Sequence, residues 1–259
     1  MKQLESLAQW KLNSPADPGL HLVVSPESGL TESLWAYRLN LKKNNSMILS
    51  DERLERNFVV IKGSATVDID GISHKITKYD SIYLPGKGKA VVIANEDLFM
   101  FGGGAVYEGC GEARVHHFDD KLQIGAIRQV HGKEPYRRDI YMTLGPDVPA
   151  SRLICGLTWS DVGAWSSWPP HQHEKDLEEA YCYFDLDSPD FGMHVSYLQS
   201  GNPEFTHIVH SGDIVLAPRG YHPTVAAPSS KNSYFWILAA HSQASRRYDL
   251  AINDPAYVK

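Results

Sequence analysis

The chain has 259 residues, of which 42% are hydrophobic and 22% are charged, and its formal net charge is −6. These proportions are typical of a folded globular protein, so they exclude a disordered chain, a collagen-like repeat and a strongly basic nucleic-acid-binding protein. The length suits either one large β domain or two smaller ones that each bury a core.

Cysteine usage and apolar run length indicate a cytoplasmic protein. Cys110, Cys155 and Cys182 are widely spaced, which fits a reducing compartment better than a disulfide-bonded scaffold. The first residues lack the charged and apolar regions of a signal peptide. The longest apolar stretches, such as residues 234–240, fall short of the roughly 20 residues that a membrane helix needs. We therefore expect no contact with a membrane.

Short strands dominate the predicted secondary structure. Residues 1–20 predict at most a short helix within a loose lead-in. Beyond them, runs rich in Val, Ile, Tyr and Phe are separated by turn residues at short intervals, which is typical of an all-β protein. The clearest runs are residues 58–61, 65–69, 90–93, 181–184, 213–216 and 234–238.

Two segments, residues 79–89 and 212–222, resemble each other and predict a duplicated β unit. In both, an Asp opens an apolar strand, and a Pro follows five residues later, ahead of a Gly. Such internal similarity indicates two tandem copies of one structural unit. The predicted domains are a lead-in (1–20), a first unit (21–130), a connector (131–150) and a second unit (151–259).

Two other features suggest chemistry but have simpler explanations. The run of three glycines at residues 102–104 lacks the Lys-Ser/Thr pair and the helix that follow a phosphate-binding loop, so it predicts a flexible turn. Lys87 and Lys89 predict a solvated loop rather than a nucleic-acid patch. We therefore expect no nucleic-acid partner.

The segment from residue 163 to residue 179 carries the strongest signal for chemistry. Its His171-x-His173 pair would point both imidazoles to one side of an extended chain, because strand side chains alternate. Imidazole nitrogens bind Zn, Mn, Fe, Co and Ni. A carboxylate a few residues later can return on the adjacent strand, and His222 follows a Pro-x-Gly turn. Three His and one Glu would leave open positions on a divalent ion, as a catalytic metal needs.

Two adjacent glutamates compete for the carboxylate position. Glu178 and Glu179 lie on opposite faces of a strand, so only one of them can enter the interior with the imidazoles. With Glu179 inward, Tyr181 and Tyr183 also face inward. With Glu178 inward, the lining would be the apolar side chains that alternate with those tyrosines, which suit a sugar poorly.

These motifs resemble the cupin superfamily, whose first motif ends in HxH followed by Glu and whose second is PxG followed by His. More narrowly, WSSWPPHQH at residues 165–173 and GYHP at residues 220–223 are similar to signatures of the 5-deoxy-glucuronate isomerase family of inositol catabolism. Residues 153–158 and 179–184 echo the related 5-keto-4-deoxyuronate isomerases of pectin breakdown. The resemblance implies an all-β fold of two tandem cupin jelly-roll barrels. The N-terminal barrel would be degenerate and metal-free, because Lys89 occupies the place of His222.

The family resemblance implies a metal-dependent aldose–ketose isomerase, an intramolecular oxidoreductase, that acts on 5-deoxy-glucuronate. The family's Glu is followed by x-Tyr, which favours Glu179 as the ligand. The implied site would hold one divalent ion, Zn, Mn, Fe, Co or Ni, on His171, His173, Glu179 and His222. The alternatives are a 5-keto-4-deoxyuronate isomerase, an Fe(II) cupin oxygenase and a non-catalytic sugar-binding cupin.

The implied substrate is a small sugar acid, so local cations must offset the protein's negative charge. Arg219 and Lys175 are nearest in sequence to the ligands, and Tyr181 and Tyr183 would complete the substrate contacts. The general base is not assigned; the candidates are Tyr181, Lys175 and a metal-bound water. Cupins often associate through sheet edges, so we also expect a homo-oligomer.

Overall fold

The structure is a computed structural model that describes residues 6–173 and 175–258. Strands are the dominant regular secondary structure of the described residues, as predicted. Helix is limited to one turn at residues 6–8 and to 3-10 turns at Pro26–Ser28 and Gln243–Ser245. The strands are β1 Lys11–Asn13, β2 Gly19–Val24, β3 Trp35–Leu41, β4 Ser46–Ser50, β5 Leu54–Lys62, β6 Ala65–Ile69, β7 Ile72–Ile76, β8 Ser81–Leu84, β9 Lys89–Ala94, β10 Leu98–Val106, β11 Arg114–His116, β12 Arg128–His131, β13 Arg138–Leu144, β14 Leu153–Val162, β15 Trp165–Ser166, β16 His171–Gln172, β17 Leu177–Tyr183, β18 Gly192–Ser196, β19 Phe205–Val209, β20 Asp213–Ala217, β21 Thr224–Ala226, β22 Lys231–Ala240 and β23 Ile252–Asn253.

The N-terminal half consists of two antiparallel sheets that face each other. One has the strand order β11-β8-β5-β10-β3-β2, and the other has the order β4-β9-β6-β7. Alternate side chains of both sheets point inward and form one apolar core, as the period of two requires. Its members include Leu39, Phe58, Ile82, Leu49, Val67 and Val92.

The C-terminal half repeats this arrangement. A sheet of order β1-β20-β17-β22-β14-β13-β12 faces a smaller sheet of order β15-β21-β18-β19, and β16 and β23 form a separate two-stranded ribbon. The interior of this half is more polar than that of the first. It contains buried tyrosines and histidines, among them Tyr181, Tyr183, His194 and His222.

The two halves pack through their larger sheets, and the glycine run lies at this interface. Residues 102–104 are buried within β10, so the predicted flexible turn is wrong. A Cβ atom on Gly103 would come within 2.7 Å of Ile237 Cγ2 on β22. Glycine is needed here because the facing sheet approaches the strand closely, which local sequence does not reveal.

A buried carboxylate also links the halves. Glu55 on β5 accepts hydrogen bonds from the backbone N–H groups of Ser151 (2.8 Å), Arg152 (2.5 Å) and Leu153 (2.6 Å) and from the Tyr83 hydroxyl (2.6 Å). Its side chain is fully buried. These bonds fix the start of β14 against the N-terminal half.

Two segments that the sequence analysis assigned to the lead-in and to the connector contribute strands to the C-terminal sheet. Strand β1, within the predicted lead-in, forms the edge of this sheet and pairs with β20, and Lys11 Nζ lies 2.9 Å from Asp213 Oδ2. The predicted connector 131–150 includes β13, which pairs with β12 and β14. Charged residues dominate the sequence at 131–139, so the short apolar run at 140–142, whose side chains are buried, was not recognised as part of a strand. The predicted domain boundaries stay predictions.

Across the described ranges 6–173 and 175–258, the chain contains no helix of sufficient length and hydrophobicity to traverse a bilayer.

Candidate metal centre

Four side chains from separate parts of the C-terminal half lie close together in space. His171 lies on β16, His173 follows it, Glu179 is on β17, and His222 precedes β21. One potential ligand atom from each lies within 4.8 Å of the others. Glu179 Oε2 is 2.9 Å from His222 Nε2 and 3.3 Å from His173 Nε2. A group of this composition could hold a metal ion.

Strand alternation separates the two neighbouring glutamates. Glu179 points toward the imidazoles, whereas Glu178 points to the opposite face of β17. There the Glu178 carboxylate accepts hydrogen bonds from the backbone N–H groups of Glu32 (2.8 Å) and Ser33 (2.7 Å). Glu178 therefore ties a loop of the N-terminal half to β17, and Glu179 is the glutamate that faces the histidines.

Backbone carbonyls orient two of the imidazole rings. The Nδ1 atoms of His171 and His222 lie 3.1 Å from the carbonyl oxygens of Pro169 and Gly220. An Nδ1–H that donates to a carbonyl leaves the Nε2 lone pair free for a metal, as in many metal sites. Gly220 has φ 74°, and a Cβ there would collide with the Tyr197 carbonyl. The glycine of the Pro-x-Gly motif therefore permits the turn that presents His222.

Burial and mutual charge set the protonation of this cluster. Burial, with the charges of His222 and His173, lowers the pKa of His171 well below its usual value, so its ring is neutral at pH 7. Burial opposes ionisation of Glu179, but the adjacent His173 and His222 rings outweigh the effect of burial and lower its pKa. Neutral imidazole and ionised carboxylate are the forms that bind metal.

Two ligand atoms lack the partners that buried polar atoms normally have. Within the described part of the chain, Glu179 Oε2 and His222 Nε2 are buried and make no hydrogen bond. Buried unsatisfied polar atoms are rare and often indicate an ion. The site therefore fits a divalent cation by its donors and its unsatisfied atoms.

A cavity of about 200 Å³ opens beside these four residues. Its walls combine aromatic rings with a few polar groups, which suits a small polar ligand. Besides His171, His173 and Glu179, the lining includes His131, Arg138, Thr158, Trp168, Tyr181, Tyr234, Trp236, Tyr248 and Asn253.

The two predicted tyrosines occupy different positions. Tyr181 lines the cavity, and its hydroxyl lies 2.7 Å from Ser167 Oγ. Tyr183 points inward as predicted but lies deeper, where its hydroxyl contacts His194 Nδ1 (2.7 Å) and Thr224 Oγ1 (2.9 Å) and does not line the cavity. Burial raises the pKa of Tyr181 well above its usual value, so its phenol stays protonated.

The predicted cations are not at this cavity. Lys175 and Arg219 line a separate cavity with Glu178, behind β17, and the Arg219 guanidinium lies 5.9 Å from the centre of the Trp10 ring. The expectation that they meet a substrate beside the metal ligands is therefore corrected. Their closeness in sequence to the ligands suggested closeness in space, but both residues lie on the face of β17 that carries Glu178.

Arg138 is the cavity cation that the sequence interpretation missed. It lies on β13, and its Nη1 donates to the Trp168 carbonyl oxygen at 3.1 Å. No described carboxylate lies within 4.0 Å of its guanidinium, whereas neighbouring Arg137 pairs with Asp161 at 2.8 Å. Recognition of residues 138–144 as a strand would have placed Arg138 and Ile140 on one face, and both line the cavity.

Comparison with known proteins gives consistent matches along the chain. The model of the KduI/IolB family matches residues 11–259. A 5-deoxy-glucuronate isomerase of Bacillus subtilis (strain 168) is 33% identical over 92% of this chain and 91% of its own length. A 4-deoxy-L-threo-5-hexosulose-uronate ketol-isomerase of Shigella boydii is 30% identical over 78% of this chain and 73% of its own.

Solved structures show the same fold. An IolB-like protein from Salmonella typhimurium superposes with a TM-score of 0.83 at 23% identity and covers 96% of this chain and 98% of its own. A cupin 2 conserved barrel domain protein from Leptotrichia buccalis has a TM-score of 0.51 at 13% identity and covers 87% and 90%. The fold is therefore that of cupin barrels, as the sequence motifs implied.

Proposed function

Because the chain belongs to the KduI/IolB family, we propose that it is a metal-dependent isomerase that interconverts the aldose and ketose forms of a deoxy-uronate, with 5-deoxy-glucuronate as its substrate. The observation that carries this proposal is the cluster of His171, His173, Glu179 and His222 beside a cavity that contains Arg138. The relatives named as 5-deoxy-glucuronate isomerases support the choice of substrate.

The four clustered residues would hold one divalent ion. Three nitrogens and one carboxylate oxygen suit Zn, Mn, Fe, Co or Ni. When bound, such an ion supplies Lewis acidity to a substrate carbonyl and its neighbouring hydroxyl. An isomerisation moves a proton between adjacent carbons, so the ion does not need to change its oxidation state.

Two cavity side chains are suited to proton exchange. The protonated phenol of Tyr181 can donate to a substrate oxygen. His131 lines the same cavity, and burial together with the charge of Arg138 lowers its pKa, so its ring is neutral at pH 7. Its Nε2 lies 2.7 Å from Gln129 Oε1, an arrangement that leaves Nδ1 able to accept a proton. We assign the proton acceptor to His131 in place of Lys175.

Arg138 would bind the carboxylate of the sugar acid. Its Nη1 is held by the Trp168 carbonyl, and it has no acidic partner within the described residues. An unpaired guanidinium in a partly buried cavity attracts an anion and can bind a carboxylate with two parallel hydrogen bonds. This residue takes the role that the sequence suggested for Arg219 and Lys175.

The test is conversion by the purified protein. Bound metal is measured by elemental analysis, and 5-deoxy-glucuronate is followed by NMR with and without a chelator under anaerobic conditions. We expect formation of the 2-deoxy-5-keto acid, which His171→Ala and the chelator both abolish. Turnover that requires oxygen would instead identify an oxygenase, and binding without conversion would identify a sugar-binding protein.

A second substrate merits a parallel assay. The ketol-isomerase of Shigella boydii is 30% identical to this chain, so 4-deoxy-5-keto-uronate is the runner-up. The higher kcat/KM of the two decides between them. We also propose a cytoplasmic location, since Cys110, Cys155 and Cys182 are all unpaired.

A further inference from the structure

The C-terminal segment 246–257, here called the strap, crosses the mouth of the metal cavity. Its strand β23 pairs with β16, so that Asn253 lies opposite the candidate ligand His171 and Ile252 lies opposite Gln172. The Asp254 N–H donates to the Pro170 carbonyl oxygen at 2.7 Å. The strap is thus joined directly to the strand that presents His171.

Both ends of the strap are anchored. At its start, the Arg246 guanidinium donates to the carbonyl oxygens of Leu153 (2.8 Å), Pro146 (3.0 Å) and Gly145 (2.8 Å). Near its end, Asp254 is fully buried, and the Trp168 and Tyr257 rings meet edge to face at 5.1 Å. Such anchoring holds an otherwise irregular segment in one place.

The Asp254 carboxylate holds the end of the strap in place through its hydrogen bonds, and it is here called the latch. It accepts hydrogen bonds from the Tyr197 hydroxyl (2.8 Å), Ser200 Oγ (2.5 Å), Gly201 N (2.9 Å) and Ala256 N (2.9 Å). Hydrogen bonds to a charged acceptor are stronger than those between neutral groups. None of the four donors lies in the metal cluster, so the latch can be removed without touching a candidate metal ligand.

Between these anchors, the strap forms one wall of the cavity. Tyr248, Ala251 and Asn253 all line it, and Tyr248 stacks on Trp236 with ring centres 5.6 Å apart. The Asn253 amide makes no hydrogen bond with any residue in 6–173 or 175–258. It is therefore a polar group at the cavity with its donors and acceptor available.

We propose that the strap determines which sugar the cavity accepts: Asn253 hydrogen-bonds a substrate hydroxyl or carboxylate, and Asp254 positions Asn253 by fixing the strap. This inference rests on the proposed function, because it assigns the substrate contacts of that same cavity. Asn253 is a specificity-determining residue in this scheme, and Asp254 is a positioning residue.

The first test is kinetic and uses Asn253→Ala and Asn253→Asp on 5-deoxy-glucuronate. Loss of one hydrogen bond predicts a rise in KM of about two- to tenfold for Asn253→Ala, with little change in kcat. Asn253→Asp has nearly the same shape but repels an anion, so we expect a larger rise. Metal content measured in each variant should equal that of the wild-type protein. Unchanged KM in both variants would overturn the role of Asn253.

The second test is hydrogen–deuterium exchange of the strap and of residues 171–172 in Asp254→Asn. Loss of the charged latch predicts exchange at least about tenfold faster in both segments. The matched control is Asp249→Asn, which alters an exposed carboxylate of the same strap that pairs with Arg247 at 2.6 Å. Exchange that is equal in Asp254→Asn and Asp249→Asn would overturn the latch.

Failure of the proposed function is distinguishable from failure of the strap. If the wild-type protein converts neither uronate, the isomerase assignment fails. The strap proposal is then decided by titration with D-glucuronate as an anionic probe, followed by tryptophan fluorescence. Weaker binding to Asn253→Asp than to the wild-type protein supports it, and equal or absent binding overturns it.

Discussion

Replacement of Arg138 by Gln should lower kcat/KM for the uronate more than for an uncharged sugar of the same shape. Arg138 Nη1 already donates to the Trp168 carbonyl at 3.1 Å, which leaves the rest of the guanidinium for a substrate carboxylate. A hydrogen bond to a charged group contributes roughly 1.5–3 kcal/mol. Loss of one such bond corresponds to a fall in kcat/KM of about 10- to 150-fold at 25 °C.

The assay compares kcat/KM for 5-deoxy-glucuronate and for the corresponding uncharged sugar, in which a hydroxymethyl group replaces the carboxylate. Because the lost interaction is with the carboxylate, the variant should lose activity on the uronate and retain its low activity on the uncharged sugar. Metal content should not change, since Arg138 is not in the ligand cluster.

Arg137→Gln is the matched control. Arg137 is the adjacent residue, but it points away from the cavity and pairs with Asp161 at 2.8 Å and with Asp139 at 3.2 Å. Its loss should leave kcat/KM within about twofold of the wild-type value, because exposed ion pairs contribute little. The carboxylate-binding role of Arg138 is contradicted if Arg137→Gln and Arg138→Gln have the same effect, or if Arg138→Gln lowers kcat/KM equally for the two sugars.

Three further predictions concern metal binding and stability. His222→Ala should remove the bound metal seen by elemental analysis while circular dichroism stays that of a β protein; full metal occupancy would contradict the ligand assignment. Glu55→Ala should lower the free energy of unfolding in urea by about 3–5 kcal/mol, because it orphans three buried N–H groups; a loss under about 1 kcal/mol would show that water replaces the carboxylate. Burial lowers the pKa of His207 to about 4, whereas its value in the unfolded chain is near 6.5. Between these two pH values the unfolded state binds a proton that the folded state does not, so stability falls as the pH drops from 6.5 to 4. That loss is at most about 3 kcal/mol, and His207→Gln should reduce the pH dependence; an unaltered slope would contradict it.

The sequence predicted which side chains cluster around Glu179 better than it predicted the walls of the adjacent cavity. The HxH pair, the inward Glu179 and the Pro-x-Gly turn are local patterns, and period-two alternation is enough to predict their directions. The cavity walls come from segments far apart in sequence. Arg138 and Asn253 reach the cavity through strand pairing and through a tail that folds back, and neither arrangement has a local signal.

The same distinction explains the errors in the fold. The strands at residues 58–61 and 234–238 were visible because their side chains are apolar and β-branched or aromatic. Gly103 was misread because its role depends on Ile237, more than 100 residues away. Lys175 and Arg219 were misplaced because their distance along the chain from the ligands says nothing about which side of β17 they occupy.

The pairing of β1 with β20 makes the two halves interdependent. Strand β1 pairs with the free side of β20, and the strand on the other side of β20 is β17, which bears Glu179. A fragment that starts at residue 151 would expose that side of β20 and would tend to self-associate. We therefore expect the two halves to unfold together, and a chain that contained only the C-terminal half would need a strand from elsewhere to pair with β20.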